Sequence, residues 1–333
     1  MRNLEHYKNF IGCDVSKNTL DFAIYSPATP YRKFQHIQVE NSKSGFKEMR
    51  KWLRSNKIKC SEAVIAMEYT GIYSEAISHW CKDSGQAFVF LHPQDVKNAC
   101  SRGRNKTDKV DSQFIADYVY TMREKLEPSD VEPESINKLR QLYNERKLAV
   151  KTRTSYLNQI KTASLPAVIK RMEKMIAQIT KQITLIEKEI LRQIKEDKAL
   201  TTNYDLLITI PGIGMLNAVL TIVATGNFTR FQTARQYAKF CCVSPLSKQS
   251  GSSIYGGDHV SHAGHTEIKS ILTEGARSAI RHDPQLRTYY ERKREQGKTH
   301  GCVMNAVKFK LICRMFAVIR RQSVYVDIEA FRS

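Results

Sequence analysis

The chain has 333 residues, with 53 Lys and Arg against 33 Asp and Glu, a formal net charge of +20. An apolar share of 41% excludes a wholly disordered chain, and the length accommodates two or three domains. The eight Cys form no CxxC pair, which excludes a zinc ribbon or a thioredoxin-type site, and the start MRNLEHYKNF has no apolar signal core, so a cytoplasmic protein with free thiols is expected.

Residues 1–125 alternate strand and helix patterns. Phe10 to Val15 reads as a strand, Ser16 to Asn18 as a turn, and Leu20 to Tyr25 as the hairpin partner. Phe34 to Val39 reads as a third strand. Phe46, Met49, Trp52 and Leu53 recur at helical spacing. Ala63 to Glu68 is a nearly continuous apolar run, as in a central strand covered on both faces. A helix over Tyr73 to Lys82 and a strand over Ala87 to Leu91 follow, with a helix after them. This order predicts an α/β domain of the ribonuclease H-like kind.

Residues 126–200 begin as a linker, where Pro128 and Pro133 stand among Glu127, Asp130, Glu132 and Glu134. From Ser135 the pattern is helical. Ile169, Met172, Ile176, Ile179, Ile183, Ile186 and Ile190 alternate spacings of three and four, a heptad seam that predicts a coiled-coil dimeriser; an intramolecular helical hairpin is the alternative. Pro166 divides the stretch into two arms.

Residues 201–333 are expected to be mainly helical. Leu206 to Thr229 carries no charge, but Pro211 and Gly212 interrupt it, so it reads as a buried element and no membrane span is expected. Ile210-Pro211-Gly212-Ile213-Gly214 has the pattern of a helix-hairpin-helix, in which Gly212 and Gly214 expose amides to a nucleic-acid phosphate; a plain tight turn fits as well. Ser244 to Gly264 reads as a Gly/Ser-rich loop, and the C-terminal helices are basic.

The charge favours a polyanion, since each neutralised phosphate releases a counterion. Arg102, Arg104 and Lys106 form a basic stretch ahead of the acids Asp108 and Asp111, which share a helix face behind the candidate cap Thr107. Asp14 in the first strand and Glu68 at the end of the fourth complete a set of four carboxylates. Hard oxygen donors of this kind suit Mg²⁺, and two such ions activate an attacking oxygen and stabilise a leaving one. Asp21 is left out of the set, because alternation sets it against Leu20 and Phe22. Ser250, before Gly251, is an exposed candidate nucleophile that such a metal would have to activate.

At Gly12-Cys13-Asp14-Val15-Ser16-Lys17, Met67-Glu68-Tyr69-Thr70-Gly71-Ile72-Tyr73 and Lys106-Thr107-Asp108-Lys109-Val110-Asp111 the chain closely resembles the DEDD-type transposases of insertion sequences, a family that includes Piv-like DNA invertases and bridge-RNA-guided serine recombinases. The resemblance continues through Ile210 to Gly214 and from Ser244 to Gly251. It implies a RuvC-like domain over 1–125 whose four acids hold Mg²⁺, a coiled-coil dimerisation region over 126–200, and a C-terminal transposase domain over 201–333 with Ser250 as nucleophile. It further implies donor and target DNA as partners, a homodimer or higher oligomer, and in some members a structured noncoding guide RNA. The chain departs from the family at Cys242-Val243-Ser244-Pro245 and at Ala263-Gly264-His265, and Ser247, Ser252 and Ser253 offer competing hydroxyls. Other readings are a metal-dependent junction endonuclease without a covalent intermediate, an actin- or sugar-kinase-like ATPase, and a non-catalytic nucleic-acid scaffold. Asp14-Val15-Ser16-Lys17 lacks the glycine an ATPase phosphate loop needs, and a scaffold has no use for four gathered acids.

Overall fold

The computed structural model describes residues 3–25, 34–68, 72–91, 96, 107–244, 246–250, 254–259 and 266–327, with the backbone alone for 72, 246–250 and 254–259. The chain divides into two compact units, Met1–Val131 and Glu132–Ser333.

In the first unit, β1 (Asn9–Val15) and β2 (Thr19–Tyr25) form an antiparallel hairpin, and β3 (Gln35–Glu40) extends it. The turn closes where the Ser16 hydroxyl accepts the Thr19 amide at 3.0 Å. After α1 (Lys43–Ser55) the chain enters β4 (Ala63–Glu68) beside β1, in parallel. Then α2 (Ile72–Ser84) leads to β5 (Ala87–Leu91), parallel to β4. The sheet order is β3-β2-β1-β4-β5, consistent with the expected ribonuclease H-like arrangement.

Alternation decides what each face buries. Ile11, Cys13 and Val15 point with Phe22, Ile65 and Met67 into a core covered by Phe46, Met49 and Leu53 of α1. Phe10, Val64, Ala66 and Val89 point the other way, under Ile115, Ala116 and Val119 of α3 (Asp108–Thr121). Gly12 lets α3 lie directly on β1: a Cβ there would stand 2.0 Å from the Ser112 carbonyl oxygen. No side chain fits that gap, so the glycine sets how closely the helix approaches the strand.

The second unit opens with α4 (Glu134–Gln159) and α5 (Pro166–Glu196), which lie against each other, with Arg146 paired to Glu187 at 2.7 Å. Pro166 sits in the first turn of α5, where its missing N–H is harmless. Next come α6 (Lys198–Ile208), α7 (Met215–Thr225), α8 (Ala234–Phe240), the hairpin β6 (Leu246–Ser250) and β7 (Ile254–His259), and then α9 (Thr266–His282), α10 (Pro284–Glu295) and α11 (His300–Arg321). One apolar core joins Ile136, Leu139 and Tyr143 of α4 with Ile186, Ile190 and Ile194 of α5 and with the later helices. The helices of the expected middle segment therefore share the second unit's core.

The heptad seam divides in two. Ile183, Ile186 and Ile190 are buried, whereas Ile169, Met172, Ile176 and Ile179 remain half-buried. No residue of α4 beyond Tyr143 is buried, and none of α5 before Ile183. The far halves of α4 and α5 thus form a two-helix arm outside the core. The helical pair within one chain is the alternative the spacing left open, and it satisfies only the C-terminal part of the seam. The stretch over 244–264 differs from the expected loop, because β6 and β7 pair there in antiparallel register. Among the described residues no helix is long and apolar enough to cross a membrane.

Candidate active site

Asp14 and Glu68 follow the paired residues Cys13 and Met67 at the C-terminal ends of β1 and β4. The two strands are parallel neighbours, so both carboxylates leave the sheet on the α3 side. Thr107 caps α3, its hydroxyl accepting the Val110 amide at 3.3 Å, and Asp108 and Asp111 occupy the first turn. The contact at Gly12, two residues before Asp14, anchors α3 over this strand end. Four acids remote in sequence are thereby brought together.

Their meeting is visible in the electrostatics. The Asp14 carboxyl is pushed up to about 6, first by burial and then by the charges of Asp108, Asp111, Glu68 and Asp21. Among the described residues no three acids, histidines or cysteines already enclose a point where an ion would sit. Mutual repulsion spreads carboxylates that have no cation between them. The donor set is all hard oxygen, with Asp14, Glu68 and Asp111 half-buried and Asp108 exposed, which fits Mg²⁺ chemistry.

Asp21 stands outside the sequence-based set of ligands, yet the register brings it to the same face as Asp14. Asp14 and Asp21 are direct partners across the β1–β2 ladder, so their side chains share a face. Leu20 and Phe22 point to the other face, as alternation demands, but the cross-strand partner decides which acids meet. Asp21 is 3% exposed and accepts hydrogen bonds from His36 Nε2 at 2.8 Å and Gln38 Nε2 at 2.9 Å, both from β3. Counting outward from the turn at Ser16 to Asn18 would have found it.

Ser250 ends β6 opposite Ile254 of β7, at the tip of the hairpin, and its side chain is outside the described residues. Arg102, Arg104 and Lys106 also lie outside them. Gly212 and Gly214 belong to the turn between α6 and α7, and they differ in role. Gly212 has φ +89, and a Cβ there would meet the Gly275 carbonyl oxygen at 2.4 Å, so it serves a close crossing with α9. Gly214 is exposed at the N-cap of α7, where a Cβ would meet nothing within 4 Å. A side chain would fit at Gly214 and not at Gly212.

Residues 11–168 match the model of the DEDD-type IS110 transposases, and residues 204–291 match that of the IS116/IS110/IS902 transposase family. The pilin gene-inverting protein of Moraxella bovis is 28% identical over 324 residues, covering 94% of this chain and 96% of that protein. The transposase for insertion sequence element IS1111A of Coxiella burnetii is 24% identical over 313 residues, covering 81% of this chain and 80% of that protein.

Proposed function

This chain belongs to the IS110-type transposase family and is a DNA recombinase, and from that premise we propose how it acts. It cuts and rejoins donor and target DNA of an insertion sequence through a covalent serine–phosphate intermediate. The observation that carries this reading is the placement of Asp14 and Glu68 at neighbouring strand ends beside Asp108 and Asp111 in the first turn of α3, where burial and then the neighbouring charges raise the Asp14 carboxyl. These four residues hold Mg²⁺, with Asp14 and Glu68 fixed by strand ends and the other two by the first turn of a helix. Bound there, the ion supplies Lewis-acid polarisation of the scissile phosphate.

Ser250 is the nucleophile of choice. Its Oγ forms a bond to phosphorus as the bond from phosphorus to a deoxyribose oxygen breaks, and the proton lost by the serine hydroxyl is made good, through solvent, on the departing oxygen, which leaves as a strand hydroxyl. Attack by a strand hydroxyl on the phosphoserine reverses the exchange and releases Ser250. The phosphoester is conserved throughout, so strands are rejoined without an external energy source. Two further parts of the reading rest on the family and on charge. A structured noncoding RNA guides the choice of DNA, with Arg102, Arg104, Lys106 and Gly214 among the phosphate contacts. Copies of the chain associate through the arm of α4 and α5, which exposes Leu148, Leu157, Leu165, Met175 and Leu185.

The test is to trap adducts under denaturing conditions with donor DNA, candidate RNA and Mg²⁺. Wild type should yield a peptide carrying a nucleotide on Ser250. Ser250→Ala should yield none while still binding DNA, and Asp14→Asn should abolish cleavage while binding persists. An adduct on Ser247, Ser252 or Ser253 would reassign the nucleophile. Metal-dependent cleavage with no adduct in wild type would overturn the serine mechanism in favour of a junction endonuclease.

A further inference from the structure

A lysine is stranded in the second unit. Lys308 of α11 is 5% exposed and lies between Val307 and Leu311, both at 0%. Lysine is almost never buried so far unless an acid accompanies it. Among the described residues no acid pairs with Lys308, whose ammonium donates only to Asn305 Oδ1 at 3.1 Å. Its charged neighbours across the helix interface are cations, Lys269 and Arg277 of α9. Desolvation, and then these two charges, push the Lys308 ammonium down to about 8.

The composition of the two helices leaves Lys308 without a counterion from either of them. Between His300 and Arg321 there is no Asp or Glu, while Lys308, Lys310, Arg314, Arg320 and Arg321 are all cationic. The two acids of α9 are engaged: Glu274 holds Arg277 at 2.7 Å, and Glu267 holds Lys147 at 2.6 Å and accepts from Tyr143 at 3.1 Å. Lys269 is half-exposed and Arg277 exposed, so two accessible cations act on a third that is buried. An arrangement that is unfavourable by itself becomes favourable once an anion enters.

We propose that the packed faces of α9 and α11 at Lys269, Arg277 and Lys308 bind a phosphodiester group of nucleic acid. The inference rests on the reading of the protein as a nucleic-acid enzyme, and on nothing about the serine or the metal. A phosphodiester offers two charged oxygens to three cations on two helices. Its charge draws Lys308 into the protonated form, so binding above about pH 8 takes up a proton. The charged groups acting on Lys308 are Lys269 and Arg277, the latter already paired with Glu274.

The experiment measures binding of the full chain to a duplex DNA oligonucleotide and, separately, to a stem-loop RNA, by anisotropy across salt and pH. Lys308→Met keeps the volume and removes the charge. It should weaken binding about tenfold, as expected for loss of a charge-assisted contact. The slope of log affinity on log salt should shrink by about one. Wild-type affinity should fall as pH rises through about 8, and the variant should lose that dependence. Melting should not drop, because a buried cation without a counterion disfavours the fold. The double variant Lys269→Met, Arg277→Met changes accessible residues and should weaken binding likewise, even if Lys308→Met misfolds. An effect confined to the duplex assigns DNA as the source of the phosphate, and one confined to the stem-loop assigns RNA. Folded variants that bind both polymers with wild-type affinity and slope would overturn the proposal while leaving the recombinase reading intact. A wild type that binds neither polymer would overturn that reading itself.

Discussion

Asp14 shows how a single side chain reports on its surroundings. Its carboxyl ordinarily titrates near 3.8 and here is raised to about 6, because burial and four neighbouring carboxylates disfavour its charge. The sign of the consequence is opposite to that of a salt-bridged acid. Between about pH 4 and pH 6 the unfolded chain has released this proton while the folded chain keeps it, so the metal-free fold loses stability as pH rises through that window. Above it the loss is complete. Asp14→Asn should therefore stabilise the metal-free protein at pH 7, by on the order of 1 kcal/mol after allowing for solvent screening of a half-buried group. The gain should vanish below about pH 4. Mg²⁺ competes with the proton, so it should raise the melting temperature of wild type at pH 7.5 more than at pH 5.5 and leave Asp14→Asn unmoved at both. Equal Mg²⁺ shifts in the two proteins would remove Asp14 from the metal site. Asp21, buried and fixed by His36 and Gln38, adds to the pressure on Asp14 without being one of the four predicted ligands.

Elements set what the residues can do, and the sequence showed them unequally. The β1–β2 hairpin, the apolar run of β4 and the i, i+3 pair Asp108 and Asp111 were legible, because alternation and helical spacing are local properties. Ladder register is not local in that sense: Asp21 belongs with Asp14 only once the pairing across the turn is counted. The approach of α3 to β1 at Gly12 was also beyond the sequence, since it depends on a backbone one hundred residues away in the chain. The heptad seam is the instructive case. Its spacing was legible and its partner was not, because α4, with Ile136, Leu139 and Tyr143, occupies the C-terminal part of the seam from within the chain. The two parts should respond differently to substitution. Ile190→Ala deletes a side chain that is 0% exposed and should destabilise the protein by about 2–5 kcal/mol in denaturant melts. Lys at Met172 and Ile176, both half-buried on the arm, should leave the melt of the core close to wild type but shift light scattering from oligomer to monomer. A variant that keeps its mass would exclude the arm as the interface between copies.

At the scale of the whole molecule the charge is divided as unevenly as the chemistry. Residues 1–131 hold 20 Lys and Arg against 16 Asp and Glu, whereas residues 132–333 hold 33 against 17. The unit that carries the four acids is close to neutral, and the other accounts for most of the net charge. A metal centre for phosphoryl chemistry benefits from this separation, because a low net charge around the carboxylates leaves most of their attraction for a cation in place. The second unit should therefore supply most of the affinity for nucleic acid, and the first the metal site on which cleavage by Ser250 depends. Replacing Arg292, Lys293 and Arg294 of α10 by Gln removes three exposed or half-exposed cations from one turn. If each contacts a phosphate, the slope of log affinity on log salt should fall by between about 0.9 and about 2.7, depending on how many contacts are made at once. Asp14→Asn should leave that slope at its wild-type value, since no phosphate contact is lost. Filter binding across a salt series decides the matter. A triple Gln variant with an unchanged slope would place the polyanion surface away from α10, and a change of slope in Asp14→Asn would show that the acids take part in binding as well as in cleavage.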